Sequence, residues 1–335
     1  MIEANGKLAL CIVGCGGYAR TFLDGLADAR ENLELYFSSR DLAKAMEYSQ
    51  TYGGIGYFGD YEEAAADPRV DALYFLTPHH LHLENALMAA RYSKHILMEK
   101  PIARSTDEAA QMMAAAASAG VKLMVAENYR FNPAVEECKR IIDEGRIGEL
   151  RLIQIQSEGY SAPTEWRTNA EMTGGGVFID GGIHAIDILL NVGGFPERVY
   201  AAEPRKVFRE SEGEDGLVVM AHLAGGCVGI VNYSSGTPVG ESRYLVGITG
   251  TRGHLSFTPR EDEITIETPE TRRTVQVRHD PRGIRGMALE FRSSILEDRE
   301  PAMSGQQGVN DLAVVLAAYR SVREGREIAL DSAQV

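Results

Sequence analysis

The sequence predicts a two-domain α/β chain: an N-terminal Rossmann domain, a doubly wound parallel sheet, followed by an α+β domain with an antiparallel sheet. Three observations carry this expectation. Short apolar runs alternate with helical patterns from Lys7 to about Asn128. A glycine fingerprint, VGCGGYA, stands at the first strand-to-helix turn. Past residue 150 the grammar changes to alternating strands separated by Gly/Pro/Asp-rich turns. A length of 335 residues exceeds the roughly 250 at which single cores stop growing, so two domains are expected, divided as 1–128 and 129–335.

In the first domain LALCIVG leads to a helix from about Tyr18, and LELYFSS to a helix from Asp41, with ALYFLTP and HILMEK following. These runs are apolar on both faces, as parallel strands covered on each side should be. TDEAAQMMAAAASAG reads as a helix with Thr106 as N-cap and Gly120 as its stop, before the strand VKLMVAE. A helix over Ala134 to Glu144 precedes LRLIQIQSEGY. LVVMAHLAG, CVGIVNYSSG, RYLVGITG, HLSFTP, DEITIET and RTVQVR then read as strands. Helices over Met287 to Asp298 and Gly308 to Glu324 close the chain, the last expected to pack back on the first domain.

Composition narrows the function classes. With 44% hydrophobic and 24% charged residues, and no uninterrupted apolar run approaching the roughly 20 residues of a membrane span, a soluble protein with no membrane partner is expected. No basic n-region precedes a long apolar core, so the expected location is cytoplasmic. Cys11, Cys15, Cys138 and Cys227 are scattered without a CxxC pair, which argues for reduced thiols rather than disulfides or structural zinc. A formal charge of −14 without a Lys/Arg run disfavours nucleic acid, but leaves room for a neutral small molecule or a locally held dinucleotide.

Gly14, Gly16 and Ala19 take the three key positions of the G-x-G-x-x-[GA] dinucleotide fingerprint, with Gly17 and Tyr18 in the same turn. The first glycine permits the tight turn, the second lets backbone approach a pyrophosphate, and Ala19 keeps helix and strand close. At the end of the second strand, where an NAD site places a carboxylate, stand Ser38, Ser39 and Arg40. A 2′-phosphate would find the Ser39 hydroxyl and the Arg40 guanidinium, so NADP is favoured over NAD. The competing reading has Arg40 solvated and Asp41 merely capping the next helix. FLTP ends a strand at the sheet edge where ligands bind, placing Thr77 and Pro78 beside a nicotinamide, with His79 in reach. His80 and His82 complete no metal-ligand spacing, and no metal is expected.

HILMEKP ends another strand in Glu99, Lys100 and Pro101. Lysine at that edge suits stabilisation of a developing alkoxide, although a Glu-Lys surface pair explains the motif equally well in isolation. GGGVFIDGGIHAIDILL reads as a glycine turn entering an apolar helix that sets Asp180 and His184 four residues apart on one face, a spacing that lets a carboxylate orient an imidazole. Asp187 follows as a further partner. Gly181 and Gly182 each cost the helix of order 1 kcal/mol, so close packing or ligand approach is expected there. Asn128, Tyr160, Trp166 and Arg167 are further candidates for facing cofactor or substrate.

Together, GCGGYA, EKP, AENYRFNP and GGGVFIDGGIHAID resemble the glucose-fructose oxidoreductase and inositol dehydrogenase (Gfo/Idh/MocA) family, in family order over nearly the whole chain. The resemblance implies Lys100, Asp180 and His184 as the catalytic set. It also implies hydride transfer between nicotinamide and a sugar, cyclitol, dihydrodiol or related alcohol or carbonyl. Trp166 and Arg167 resemble a family WR element near the cleft. Ser39-Arg40 looks more like the NADP-using members than the aspartate-bearing inositol dehydrogenases. An open sheet buried against another subunit, in a homodimer or homotetramer, is implied as well. Rival readings are a glycosidase using held NAD for transient redox, and a cofactor-binding regulator without turnover.

Overall fold

A computed structural model describes residues 6–331, which fall into two compact units. Unit 1 comprises Met1–Glu127 with Ile284–Gly308, and unit 2 comprises Asn128–Gly283 with Val309–Val335. The segment Ile284–Gly308, which the sequence reading gave to the second domain, thus groups with the first.

Unit 1 runs β1 Leu8–Val13, α1 Gly17–Gly25, β2 Leu33–Ser38, α2 Leu42–Tyr52, β3 Gly56–Phe58, α3 Tyr61–Ala66, β4 Ala72–Phe75, α4 His82–Arg91, β5 His95–Met98, α5 Thr106–Ala119 and β6 Leu123–Val125. The sheet order is β3-β2-β1-β4-β5-β6, and each pairing is parallel. Every residue of β1 and β4 is buried, the two-sided burial that their unbroken apolar runs demand. β1 lies between β2 and β4, so the chain reverses its winding there, and the crevice beyond the strand ends at that switch point is the expected ligand position. Asp41 caps α2 by accepting from Ala43 N at 3.0 Å. The expected cap of α5 at Thr106 is corrected to Ser105: that residue holds the extended conformation, and its hydroxyl accepts from Glu108 N at 3.2 Å. Gly120 ends α5 in the left-handed conformation, as its position in the sequence suggested.

Unit 2 opens with α6 Pro133–Asp143, then β7 Leu150–Glu158, α7 Ala170–Thr173, a π-helical turn Phe178–Gly182, α8 Ile183–Gly193, β8 Arg198–Ala202, β9 Gly216–His222, β10 Val228–Ser234, β11 Arg243–Gly250, β12 His254–Phe257, β13 Glu263–Glu267 and β14 Arg272–Gln276. After α9 Ile284–Leu296 in unit 1, α10 Gly305–Glu324 begins in unit 1 and ends in unit 2, where β15 Ile328–Ala329 joins the sheet. The order is β14-β13-β12-β11-β7-β10-β9-β8-β15. Its pairings are antiparallel except β7 with β10, which the alternation pattern does not reveal. β8, β15 and β3 escaped the sequence reading; β15 and β3 are too short to show a period.

One face of the second sheet is covered by α8, which rests on β7 and β10. Contact is close because glycine permits it: a Cβ on Gly229 would come 2.6 Å from Leu189 Cδ1. The stretch Ala170–Gly193 is long and apolar enough by composition to cross a membrane, and 67% of its most apolar window is buried inside the protein, as in a core helix. The opposite face carries Met220, Ile230, Gln154, Gly247 and Ser256 in one cross-strand row, and Val218, Asn232, Gln156 and Leu245 in the next.

Candidate functional site

In unit 1 the glycine turn shows two kinds of need for glycine. Gly14 has φ +105°, and a Cβ there would stand 2.9 Å from Leu76 O, so the turn itself excludes any side chain. Gly16 and Gly17 are different: Cβ atoms built on them meet nothing within 4 Å. Folding does not require glycine at either position, whereas close approach of a ligand to the α1 N-terminus does. These residues therefore fit a pyrophosphate. Tyr18 opens α1 beside Gly17, and Ala19, fully buried, sits in its first turn.

At the end of β2, Ser38 is buried and its hydroxyl donates to Asp60 O at 3.0 Å. The Ser39 hydroxyl accepts from Asp41 N at 3.2 Å, while Arg40 is exposed and its guanidinium lies against the Tyr61 hydroxyl. The two nearby aspartates are engaged as helix caps, Asp41 on α2 and Asp60 on α3. Asp41 thus caps α2, as the competing reading of this turn has it.

Two loops at the same strand ends are joined by a side chain the sequence reading set aside. His82, fully buried, places Nδ1 3.0 Å from Pro101 O and 3.3 Å from Ile102 O, with Nε2 3.1 Å from Thr77 O. Burial pushes its imidazole down to about 3, with the three carbonyls pulling the other way. Thr77 Oγ1 also accepts from Asn85 Nδ2 at 2.8 Å. Pro78 caps the 3-10 turn His79–Leu81, and the buried His79 ring lies 5.6 Å from that of His82. Among the described residues no group of three His, Cys, Asp or Glu side chains is placed to hold a metal ion.

Glu99 does not point outward from its strand end. It is buried, and Tyr74 OH donates to its Oε1 at 2.5 Å. Burial raises its carboxyl to about 7; the Lys100 ammonium and the Tyr74 hydroxyl draw it down, and the fully buried Glu127 pushes it up. Lys100, half-buried and joined to Pro101 by a cis peptide, thus sits beside a buried acidic cluster. Tyr74 and Glu127 were missed because each reads as an ordinary strand or strand-end residue.

Unit 2 gathers the remaining candidates. The single helix expected over Gly174 to Leu190 is corrected: the π turn Phe178–Gly182 carries Asp180, and α8 carries His184 in its first turn. π turns recur at functional positions. Glycine permits close contact there: a Cβ on Gly181 would lie 1.9 Å from Tyr233 OH of β10, and one on Gly182 2.5 Å from the Phe178 ring. Burial, then the Asp180 charge, pushes the Tyr233 phenol up.

Asp180 Oδ2 accepts from Arg167 Nε at 2.8 Å, and that guanidinium lies 4.4 Å over the Trp166 ring. Asp180 thus has in Arg167 a partner that its spacing from His184 does not suggest. His184 meets the Tyr129 ring edge-on at 4.9 Å, and Tyr129 meets Tyr244 at 5.4 Å. Asp187, expected to assist His184, is fully buried and receives Arg130 Nε at 3.0 and 3.2 Å. A buried carboxylate needs such a partner. Asn128 is buried with its amide donating to Arg282 O, and Tyr160, 58% exposed, leans on Phe208 at 5.3 Å. Tyr129, Tyr244 and Arg130 were missed because nothing in their spacing aims them at α8.

Family comparison agrees with this geometry. Residues 8–127 match the model of the oxidoreductase family with the NAD-binding Rossmann fold, and residues 135–256 match the GFO/IDH/MocA C-terminal domain. A 1,5-anhydro-D-fructose reductase of Ensifer adhaerens is 29% identical over 96% of this chain and 98% of its own. A trans-1,2-dihydrobenzene-1,2-diol dehydrogenase of Mus musculus is 30% identical over 71% and 72%. The crystal structure of an aldose-aldose oxidoreductase from Caulobacter crescentus complexed with glycerol matches at TM-score 0.88, 26% identity, covering 97% of this chain and 100% of that one. With an NAD-binding domain in unit 1 and the family's C-terminal domain in unit 2, this chain belongs to the Gfo/Idh/MocA family of NAD(P)-dependent oxidoreductases.

Proposed function

We propose that the protein is an NADP-preferring dehydrogenase or reductase of sugars, cyclic diols or closely related carbonyl compounds. The observation that carries the cofactor preference is the end of β2, where Ser39 and Arg40 stand in place of the carboxylate of an NAD site. The substrate class rests on the named relatives: a reductase of 1,5-anhydro-D-fructose and a dehydrogenase of a cyclic dihydrodiol.

When bound, the dinucleotide supplies a hydride donor or acceptor at its nicotinamide. The chain's own residues do the proton and charge work. In alcohol oxidation His184 takes the hydroxyl proton, and the Lys100 ammonium donates a hydrogen bond to the oxygen as negative charge develops on it. Asp180, tethered by Arg167, presents a carboxylate in the π turn just before the imidazole. Reduction reverses each role. Gly16 and Gly17 would admit the pyrophosphate to the amides of α1, and Thr77, Pro78 and His79 would hold the nicotinamide side.

We extend the reading to assembly and compartment. The open face of the second sheet, with Val218, Met220 and Leu245 at least one-third exposed, supports a homodimer or homotetramer built on that face. Four buried free cysteines support a reducing cytoplasm.

The test is a fluorescence titration of cofactor-stripped protein with NADPH and NADH, followed by an absorbance screen against aldoses, anhydroketoses, cyclitols and dihydrodiols. Tighter NADPH binding with stoichiometric cofactor oxidation by a carbonyl compound is the expected result. Release of sugar without net change in cofactor absorbance would favour a glycosidase instead, and binding of neither dinucleotide would overturn the proposal.

A further inference from the structure

The backbone amides that open the segment bearing Asp180 and His184 are not satisfied by neighbours in sequence. Gly176 N and Ile179 N both donate to the Tyr319 hydroxyl, at 3.2 and 3.0 Å. Phe178 N donates to Glu214 Oε1 at 3.0 Å, and Val177 N to Glu214 O at 3.0 Å. The Tyr319 hydroxyl in turn donates to Glu214 Oε1 at 2.8 Å. Four consecutive amides are therefore received by two residues, one just before β9 and one late in α10. A helical N-terminus is ordinarily capped by the residue before it. Here Val177, which precedes the π turn, offers no side-chain cap.

The glycines around this cluster exist to allow it. A Cβ on Gly175 would come 2.5 Å from the Tyr319 ring, one on Gly176 2.3 Å from Glu214 O, and one on Gly213 2.3 Å from Gly176 Cα. Any side chain at these positions would separate the carboxylate and hydroxyl from the amides they receive. Glu214 is 8% exposed, and its second oxygen, Oε2, is shielded and without a partner. A buried carboxylate with an orphan oxygen is costly, and such groups in native structures call for a functional reason.

We propose that Glu214 and Tyr319 are positioning residues, which grip the start of the π turn and thereby fix the aim of Asp180 and His184. This rests on the proposed roles of those two side chains in catalysis. The grip is remote in sequence, so it sets the depth and rotation of the segment against the sheet, which a local cap does not. Because a misplacement near 1 Å costs of order a hundredfold in rate, the clamp acts on turnover while leaving dinucleotide affinity alone.

The experiment pairs Tyr319→Phe with Glu214→Gln and Glu214→Ala. Hydrogen exchange read residue by residue should show the amides of Gly176 and Ile179 exchanging at least about fivefold faster in Tyr319→Phe, the factor expected for one lost hydrogen bond. Amides of β1, β4 and β5 serve as the unchanged reference. In steady state, kcat should fall at least about tenfold in Tyr319→Phe and Glu214→Ala, with the Kd for NADPH unaltered. Glu214→Gln, whose Oε1 still accepts, should recover most of the activity lost in Glu214→Ala. Should Tyr319→Phe fail to fold, the Gln/Ala comparison carries the same decision. Unchanged exchange at Gly176 and Ile179, or unchanged kcat in the variants that lose the contact, overturns the clamp. If wild-type protein turns over none of the substrates, the catalytic reading fails on its own, and the exchange measurement still decides whether the clamp holds the segment.

Discussion

Glu99 offers the sharpest test of the buried acidic cluster beside Lys100, because its protonation is linked to folding. Its carboxyl rises from an ordinary 4.5 to about 7 on folding, chiefly through burial, against the opposing pull of Lys100 and Tyr74. Between those two values the folded state binds the proton more tightly than the unfolded state does. Stability associated with this group is therefore fully present below pH 4.5 and is lost as pH rises through 7. At about 1.4 kcal/mol per pH unit, the loss at pH 8 amounts to about 3 kcal/mol. Glu99→Gln keeps an oxygen to accept from Tyr74 OH and removes the titration. The variant should match wild type near pH 4 and exceed it at pH 8 by roughly 6 to 12 °C in the melting of unit 1. Circular dichroism melts at half-unit steps from pH 4 to 8 measure this directly. Parallel Tm curves for the two proteins would refute the reasoning, since they would mean that Glu99 titrates alike in both states.

Arg40→Ala should weaken NADPH roughly 10- to 100-fold, the worth of charge-assisted hydrogen bonds to a phosphate, and leave NADH nearly unchanged. Equal loss for both dinucleotides in the same fluorescence titration would place the guanidinium elsewhere than at a 2′-phosphate. Lys100→Met should cut kcat by at least about a hundredfold while the dinucleotide Kd stays within a factor of about three; substantial surviving turnover removes the ammonium from the mechanism. Gly181→Ala pushes a methyl toward Tyr233 OH, 1.9 Å from the position its Cβ would take. It should cost about 1–3 kcal/mol in urea unfolding, and Tyr233→Phe in the same chain should recover part of that loss.

What the sequence made legible follows from what is local. A parallel strand buried on both faces is an unbroken apolar run, so β1, β2, β4 and β5 could be read singly, and the glycine turn could be read because Gly14 must take a positive φ. Lys100, Asp180 and His184 were legible as motifs for the same reason. Their surroundings were not. Glu99 looks like a surface partner of Lys100 by spacing, yet it is buried and receives the Tyr74 hydroxyl from the neighbouring strand β4, which only the parallel register of β4 with β5 sets beside it. The i,i+4 spacing of Asp180 and His184 suggested a mutual pair, and gave no sign of the π turn that carries Asp180 or of Arg167, which reaches its carboxylate.

The same distinction explains where glycine carries information. Gly16 and Gly17 face open space, which leaves room for a ligand at the N-terminus of α1. Gly175, Gly176, Gly181 and Gly213 face protein atoms at distances no Cβ tolerates, so they record contacts between segments far apart in the chain. A sequence shows the two kinds alike. Read in three dimensions, the first kind marks the surface a dinucleotide approaches, and the second marks the places where Tyr233, Glu214 and Tyr319 press on the segment that carries Asp180 and His184. Function in this chain is therefore expected to be as sensitive to those three supporting side chains as to the motif residues themselves, although none of the three belongs to a recognisable motif.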